Sequence, residues 1–283
     1  MSPYRDRYAC LTTKHGKALA IARPMQTRLG LNLVTPQNLD TDILGTFSGE
    51  IPRKGSAREV CEQKARLGMA ATGLPLGLAN EGSFGPHPFI PFIPAGIELM
   101  TFVDDERGIV VTESFLSDRT NYSHRTAQNI EDLGEWLRTV RFPTHAIVVR
   151  LNVNGPGAPI EKGIVSTDRL EAAIVDACAN SSGGPAWIET DMRAHFNPTR
   201  MVAIRKLGRR LADRLASTCP ACSSPGWGQT DVIKGLPCEL CGSPSKWVMF
   251  EAFGCVACDY RENRRRSDGL QNVSPQHCPE CNP

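Results

Sequence analysis

Eight cysteines between residues 219 and 281 form four Cys-x-x-Cys pairs, and this feature constrains the fold more than any other. The pairs are Cys219/Cys222, Cys238/Cys241, Cys255/Cys258 and Cys278/Cys281. A two-residue gap lets both thiolates of a tight turn face one tetrahedral ion, and two such turns complete a closed zinc site. We therefore expect these eight cysteines to hold two structural zinc ions.

The spacing leaves the pairing of the four motifs open. Sequential pairing would join the first pair to the second and the third pair to the fourth. A nested arrangement, which we favour, would join the second pair to the third around the strand-like segment 246–250, and the first pair to the fourth. A segment this small buries little core, so metal binding would supply much of its folding free energy.

The N-terminal residues and the overall composition exclude several classes of protein. The first ten residues lack the apolar core of a secretory signal, and no apolar stretch approaches the roughly 18 residues that span a bilayer. We therefore expect a cytoplasmic protein without a membrane partner, where reduced cysteines favour metal over disulfides. With 32 basic and 30 acidic residues the net charge is +2, which by itself does not indicate nucleic-acid binding.

Ahead of the cysteine-rich segment, short apolar runs alternate with amphipathic stretches. This alternation predicts an α/β body with a mixed, mostly parallel sheet flanked by helices. Residues 1–217 form this body, as one domain or as two subdomains (1–116 and 117–217), and residues 218–283 form a small ribbon-like domain with two zinc ions. The segments predicted as strands are 8–13, 31–35, 74–79, 98–103, 108–115, 145–151 and 186–190.

Helix starts are marked by capping residues. Ser56 and Glu59 form a capping box that opens a helix ending near residue 71. Another helix starts near Thr167, and Asn197-Pro198 supply the cap and the first residue of the last long helix of the body. Composition predicts loops at 80–87, 155–159 and 181–185, and a hairpin turn at 104–108.

Polar residues that could bind a ligand follow the predicted strands. Ligands of α/β sheets lie beyond the carboxyl ends of strands, and Thr13, Lys14 and Lys17 follow the first strand. Hydroxyl and ammonium groups ahead of a helix suit an anion. Cleavage of a phosphoanhydride also needs carboxylates that hold magnesium. The candidates for phosphate and magnesium binding are Lys14, Lys17, Lys64, Glu59 and Glu81.

The order of these motifs resembles that of the house-cleaning nucleoside-triphosphate pyrophosphatases, the inosine/xanthosine triphosphatase group. The resemblance covers residues 8–116 and rests on Thr12-Thr13-x-x-x-Lys17, on the helix with Glu59 and Lys64, and on the segment 77–82. It implies that the first loop and Lys64 hold a triphosphate, and that Glu59 and Glu81 handle magnesium and the attacking water. The whole chain resembles an uncharacterised bacterial family with such a body and a C-terminal zinc ribbon. This second resemblance does not indicate any particular activity.

We therefore expect the body to bind or hydrolyse a phosphorylated small molecule, a nucleotide in the first instance, with magnesium. In this hypothesis Lys17 and Lys64 neutralise phosphates, and Glu59 and Glu81 position the metal and water. Thr13 and Ser83 would donate hydrogen bonds to the substrate.

Two alternatives remain open at this point. The chain could be a non-catalytic adaptor whose zinc tail binds nucleic acid or a protein partner. The basic residues that could then contact phosphates are Arg264, Arg265 and Arg266, with Arg205, Lys206, Arg209, Arg210 and Arg214 of the last helix. Alternatively, catalysis could centre on Asp191, Arg193 and His195, although the first two could simply form a structural ion pair.

Overall fold

The first sheet of the body has five strands. The computed structural model describes residues 2–14, 16–37, 39, 55–182 and 184–283. The strands of this sheet are β1 (Tyr8–Thr12), β2 (Asn32–Val34), β3 (Leu76–Pro86), β4 (Pro94–Asp104) and β5 (Ile109–Ser117). They lie in the order β2-β1-β3-β4-β5. The β2-β1 and β1-β3 pairs are parallel, whereas β3-β4 and β4-β5 are antiparallel. A mixed α/β sheet is thus confirmed, although only half of its strand pairs are parallel.

Helices cover both faces of this sheet. The helices of the body are α1 (Ala18–Leu29), α2 (Ala57–Thr72), α3 (Gly134–Thr139), α4 (Thr167–Asn180) and α5 (Pro198–Ala216). Helices α1 and α5 pack against one face, where Leu78, Phe102 and Leu207 are buried in the largest core. Helix α2 packs against the other face, where Ala65 and Ala79 are buried. Successive side chains of a strand therefore enter different cores, as the pleat requires.

The predicted caps of two helices are confirmed. The Ser56 hydroxyl accepts a hydrogen bond from the Glu59 amide (3.3 Å), and the Glu59 carboxylate accepts one from the Ser56 amide (2.8 Å). The Asn197 side chain accepts a hydrogen bond from the Arg200 amide at the start of α5. No helix within the described ranges combines the length and the apolar character that crossing a bilayer requires.

A second sheet of the body is antiparallel throughout. Its strands are β6 (His124–Ala127), β7 (Ile147–Asn152), β8 (Pro156–Ile164) and β9 (Ala186–Thr190), in the order β6-β9-β7-β8. One face packs on α3 and α4 around Trp136, Leu170 and Ile188. The last helix, α5, returns to the first sheet, which it contacts through β4 and β5. The domain boundaries at residues 116 and 217 remain a prediction.

Two of the predicted loops belong largely to strands. The segment 80–87 lies in β3 as far as Pro86, because β4 pairs with it along its whole length. The segment 155–159 lies largely in β8, which is an edge strand of the second sheet. An edge strand tolerates proline because its outer amides need no partner. The loop predictions from composition were therefore largely wrong for both segments, through pairing with β4 in one and an edge position in the other.

The cysteine-rich tail contains a third, antiparallel sheet. Its strands are β10 (Gly228–Lys234), β11 (Val248–Gly254) and β12 (Arg261–Arg265), in chain order. Arg214 of α5 connects the tail to the body, because its guanidinium donates to the Gly226 carbonyl (3.1 Å) and forms an ion pair with Glu113 (2.7 Å).

Candidate functional site

The eight cysteines of the tail form two groups of four. One group is Cys219, Cys222, Cys255 and Cys258, and the other is Cys238, Cys241, Cys278 and Cys281. Sulfur atoms that face each other across a group are 3.5 to 3.9 Å apart. Tetrahedral zinc–sulfur bonds of about 2.3 Å hold sulfurs about 3.8 Å apart, whereas a disulfide bond is about 2.05 Å long. Each group could therefore hold one zinc ion.

The pairing of the motifs is interleaved, so the sequential and the nested arrangements are both wrong. The first pair joins the third, and the second pair joins the fourth. The cause is that one strand separates each pair from the next. Gly228 at the start of β10 lies opposite Gly254 at the end of β11, so the first and third pairs meet at one end of the sheet. β12 then returns the chain to the other end, where the fourth pair meets the second.

The first two turns of the tail share one local structure. The Ser223 amide donates to the Cys219 carbonyl and the Gly242 amide to the Cys238 carbonyl, each at 2.9 Å. Ser223 and Gly242 both adopt the left-handed conformation, with φ of 60° and 72°. Both turns also read Cys-x-x-Cys-x-Ser-Pro. This shared motif is a sequence signal that each turn begins a separate metal group.

Two of the three tail arginines considered for phosphate binding already contact acids of the tail. The Arg264 guanidinium forms an ion pair with Glu262 (3.0 Å) and lies 4.4 Å from the centre of the Phe253 ring. Arg266 forms an ion pair with Asp268. These contacts neutralise two of the three arginines, and binding of nucleic acid by the tail remains a prediction.

The charged site of the body lies where β1 ends beside β3. β1 stops at Thr12, and β3 continues beyond this point. The side chain of the half-buried Lys17 reaches β3, where Nζ donates to the Asn80 carbonyl oxygen at 3.0 Å. Burial, and then the positive charge of Arg200, lower the pKa of Lys17 to about 8. Lys17 is therefore held among other charged groups at the carboxyl end of a parallel strand.

An ion pair on the α2 side of β3 completes this part of the site. The Lys64 Nζ lies 2.5 Å from Glu81 Oε1, and both side chains are largely enclosed, with 13% and 8% of their surface exposed. Lys64 and Glu81 also belong to the charges that act on Lys17. The structure thus brings together three of the residues predicted from the sequence, namely Lys17, Lys64 and Glu81.

A buried polar cluster on the opposite face of β3 was not predicted from the sequence. Arg200 Nε lies 2.6 Å from Glu98 Oε1, and each side chain is only 2% exposed. Asn80 Nδ2 donates to Glu98 Oε2 at 3.1 Å, whereas the buried Asn80 Oδ1 accepts no hydrogen bond from any residue that the structure describes. A Cβ at position 82 would lie 2.8 Å from Glu98 Oε1, so the glycine there leaves space for the pair. A glycine inside a strand often marks a position that another group approaches closely, so Gly82 was the sequence feature that could have indicated this cluster.

The remaining predicted residues lie apart from this cluster or make local contacts. The Glu59 carboxylate caps its own helix at Ser56, which precedes Lys64 by about 12 Å along the helix axis. Thr13 and Lys14 follow the end of β1, as expected. Thr13 Oγ1 donates a hydrogen bond to the Lys14 carbonyl (2.8 Å). Ser83 is exposed on β3. The structure therefore gives Glu59 a capping role and does not bring it to Lys17.

The third predicted site has the geometry of a structural ion pair. The buried Asp191 carboxylate accepts hydrogen bonds from the Arg193 guanidinium at 2.6 and 3.0 Å and from the Arg193 amide at 3.0 Å. His195 is exposed and contacts the ring of Phe196. The carboxylate is thus fully engaged with Arg193, as expected for a structural role.

Comparison with known proteins gives a family but no activity. A family model described as Domain of unknown function (DUF6671) matches residues 64–283, which include Lys64, Glu81, Glu98, Arg200 and all eight cysteines of the tail. No curated protein and no solved structure matches the chain.

Proposed function

Because the chain belongs to the DUF6671 family, a domain of unknown function, we propose its activity from its own charged site. The body binds a nucleotide at the end of β1 and hydrolyses its phosphoanhydride with magnesium. The observation that carries this proposal is the convergence of Lys17, Lys64 and Glu81 on one stretch of β3. Two ammonium groups can neutralise phosphate oxygens. A carboxylate can help to coordinate a divalent cation and can accept a proton from a water molecule.

The positive charges around Lys17 support an anionic ligand. Burial opposes protonation of Lys17 most strongly, and Arg200 and Lys64 add to this effect, whereas the carboxylates of Glu98 and Glu81 favour the charged form. A phosphate group beside Lys17 would offset the effect of burial and favour the charged form of the lysine. A bound anion would therefore compensate for the free energy that it costs to bury the charged form of Lys17 in the unliganded protein.

The Asn80 side chain supports a ligand that carries a hydrogen-bond donor, as a nucleotide does. Its buried Oδ1 atom can accept a hydrogen bond, and no described residue donates one to it. Buried polar atoms of this kind are usually satisfied. The sugar hydroxyls of a nucleotide and the N–H groups of most bases are donors of the kind that this oxygen atom can accept.

In the proposed reaction Glu81 acts on water. The carboxylate accepts a proton from a water molecule as the water oxygen attacks phosphorus, and the bridging P–O bond breaks with its electron pair leaving on the departing phosphate. Glu81 would also help to hold a magnesium ion, which would offset negative charge on the phosphate. Lys64, which already holds Glu81 by an ion pair, would orient the carboxylate.

We further infer that the metal of the tail is zinc and that its role is structural. Four thiolates fill a tetrahedral coordination shell and leave no position for a substrate. The tail would then hold its three-stranded sheet together through the two metal groups at its ends.

The test of the hydrolase proposal is release of pyrophosphate or phosphate from a panel of standard and deaminated nucleoside triphosphates, with and without magnesium. We expect magnesium-dependent release that Glu81→Gln lowers by at least about 100-fold, the usual contribution of a general base. Glu59→Gln is the matched control. Glutamine also serves in a capping box, so this variant should keep its fold and its activity.

Three results would contradict parts of this proposal. An unchanged rate in Glu81→Gln would exclude Glu81 as the base. Equal losses in Glu59→Gln and Glu81→Gln would contradict the purely capping role of Glu59. Absence of nucleotide binding by calorimetry, at any magnesium concentration, would exclude the binding function itself.

The pKa of Lys17 predicts how nucleotide affinity depends on pH. Its unliganded pKa of about 8 rises when a phosphate binds, so binding takes up a proton above pH 8. Between pH 7.5 and 9.5 nucleotide affinity is therefore expected to fall, by at most about tenfold per pH unit. Calorimetric titrations of wild type and Lys17→Met would measure this, and a similar fall in both proteins would contradict the role of Lys17.

A further inference from the structure

A cleft of the body lies beside a face of α5 that differs from the one carrying Arg200. It has a volume of about 510 Å³ and is formed by β5, residues 119–121, the end of α3 and the first turns of α5. Clefts of this size commonly hold small organic ligands. It shares no lining residue with the charged site beside β1.

The charges of this cleft all have one sign. Arg119, Arg141 and Lys206 line it, and no carboxylate among the described residues does. None of the three forms an ion pair with a carboxylate in the part of the chain that the structure describes, whereas Arg150, Arg200 and Arg214 each face a glutamate. Three unpaired cations in one concave surface create a positive potential that an anion would neutralise.

The walls of the cleft are held in place by their own hydrogen bonds. Asn121 Nδ2 donates to the Val140 carbonyl (3.1 Å), and Asn121 Oδ1 accepts from Asn197 Nδ2 (2.8 Å). One side chain thus connects the segment after β5 both to the end of α3 and to the cap of α5. A preformed cleft loses little entropy when a ligand binds.

Side chains rather than the helix terminus would hold the anion. The first residue of α5 is Pro198, which has no amide hydrogen, and the Thr199 amide already donates to His145 (3.2 Å). The Thr199 hydroxyl also accepts from the Arg141 guanidinium (3.2 Å). Lys206 lies 5.8 Å from the centre of the Phe115 ring, so the same wall offers a cation and an apolar surface.

We propose that this cleft binds the phosphate group of a small phosphorylated compound. Arg119, Arg141 and Lys206 contact the phosphate oxygens, and the Thr120 hydroxyl, which accepts a hydrogen bond from the Tyr122 amide, can donate a further one to them. Phe115 and Val202 supply an apolar wall for the organic part of the ligand. This site is additional to the nucleotide site beside β1 and does not depend on that proposal.

Calorimetry with the full chain tests the cleft, with adenosine monophosphate, inorganic phosphate and a single-stranded oligonucleotide as probes. Lys17→Met serves as the background, because it impairs the site beside β1. In that background we expect Arg141→Gln and Lys206→Gln each to weaken binding of adenosine monophosphate by at least about tenfold. Arg138→Gln, an exposed arginine of α3 outside the cleft, is the matched control and should bind as the background does.

The outcomes separate the possible ligands. Equal affinities for adenosine monophosphate and phosphate mean that the phosphate group alone is recognised, and tighter binding of the nucleotide means that the apolar wall contributes. Both support the proposal. Unchanged affinity in both Arg141→Gln and Lys206→Gln, or no binding of either small probe to folded protein, would overturn it. Much tighter binding of the oligonucleotide would replace it by a nucleic-acid surface.

Discussion

Replacement of Cys222 and Cys255 together by serine is expected to leave one zinc ion per chain, whereas replacement of Cys222 and Cys241 should leave none. Cys222 and Cys255 belong to one metal group, so the other group stays complete. Cys222 and Cys241 belong to different groups, so the second double variant damages both. Structural zinc sites contribute about 10–16 kcal/mol of apparent binding free energy, so loss of a group should unfold its end of the tail.

Zinc content by mass spectrometry of the purified variants distinguishes all three pairings. Sequential and nested pairing would each place Cys222 and Cys255 in different groups, and both therefore predict no intact zinc site in the first double variant. A content near zero in Cys222→Ser/Cys255→Ser would contradict the interleaved arrangement. Serine at Cys178, which lies outside both groups, is the control and should leave two zinc ions per chain.

Arg200→Met is expected to lower the free energy of unfolding by about 3–5 kcal/mol, because it leaves the Glu98 carboxylate buried without its cation. Glu98→Met should cost a similar amount for the converse reason. Arg200 also donates to the Met192 carbonyl at 2.6 Å, so the double variant regains only part of the loss. Urea denaturation of the metal-loaded protein would measure these differences.

The coupling between the two residues is the decisive quantity of that experiment. If the losses of the single variants add in the double variant, the pair does not interact as the structure indicates. Arg209→Met is the control, since Arg209 is exposed on the same helix and should change stability by less than about 0.5 kcal/mol. A large loss there would point to a general effect on α5.

Local features of this fold could be predicted from the sequence because they depend on neighbouring residues. The capping box at Ser56, the cap at Asn197 and the four cysteine turns each need only a few consecutive positions. The strand character of residues 80–86 could not be predicted in this way. It depends on pairing with β4, which offsets the local preference of Gly82 and Gly85 for a loop.

The candidate site was predictable only in part for the same reason. Lys17, Lys64 and Glu81 were identified by their positions after strands and on a helix. Arg200 and Glu98 are 102 residues apart in the chain, and only the packing of α5 on β4 reveals that they form a pair. Glu59 was attributed both a capping and a catalytic role, and its geometry supports the capping role.

The interleaved order of the cysteine pairs also affects how the tail is made. During synthesis, Cys219/Cys222 and Cys238/Cys241 are present together about 1–3 s before Cys255 is added, at usual elongation rates. These four thiols can capture a zinc ion between them, in a set that the folded protein does not use. An ion captured in that set would have to change ligands as β11 forms. Assembly of the tail is therefore a competition between an early, non-native ligand set and a late, native one.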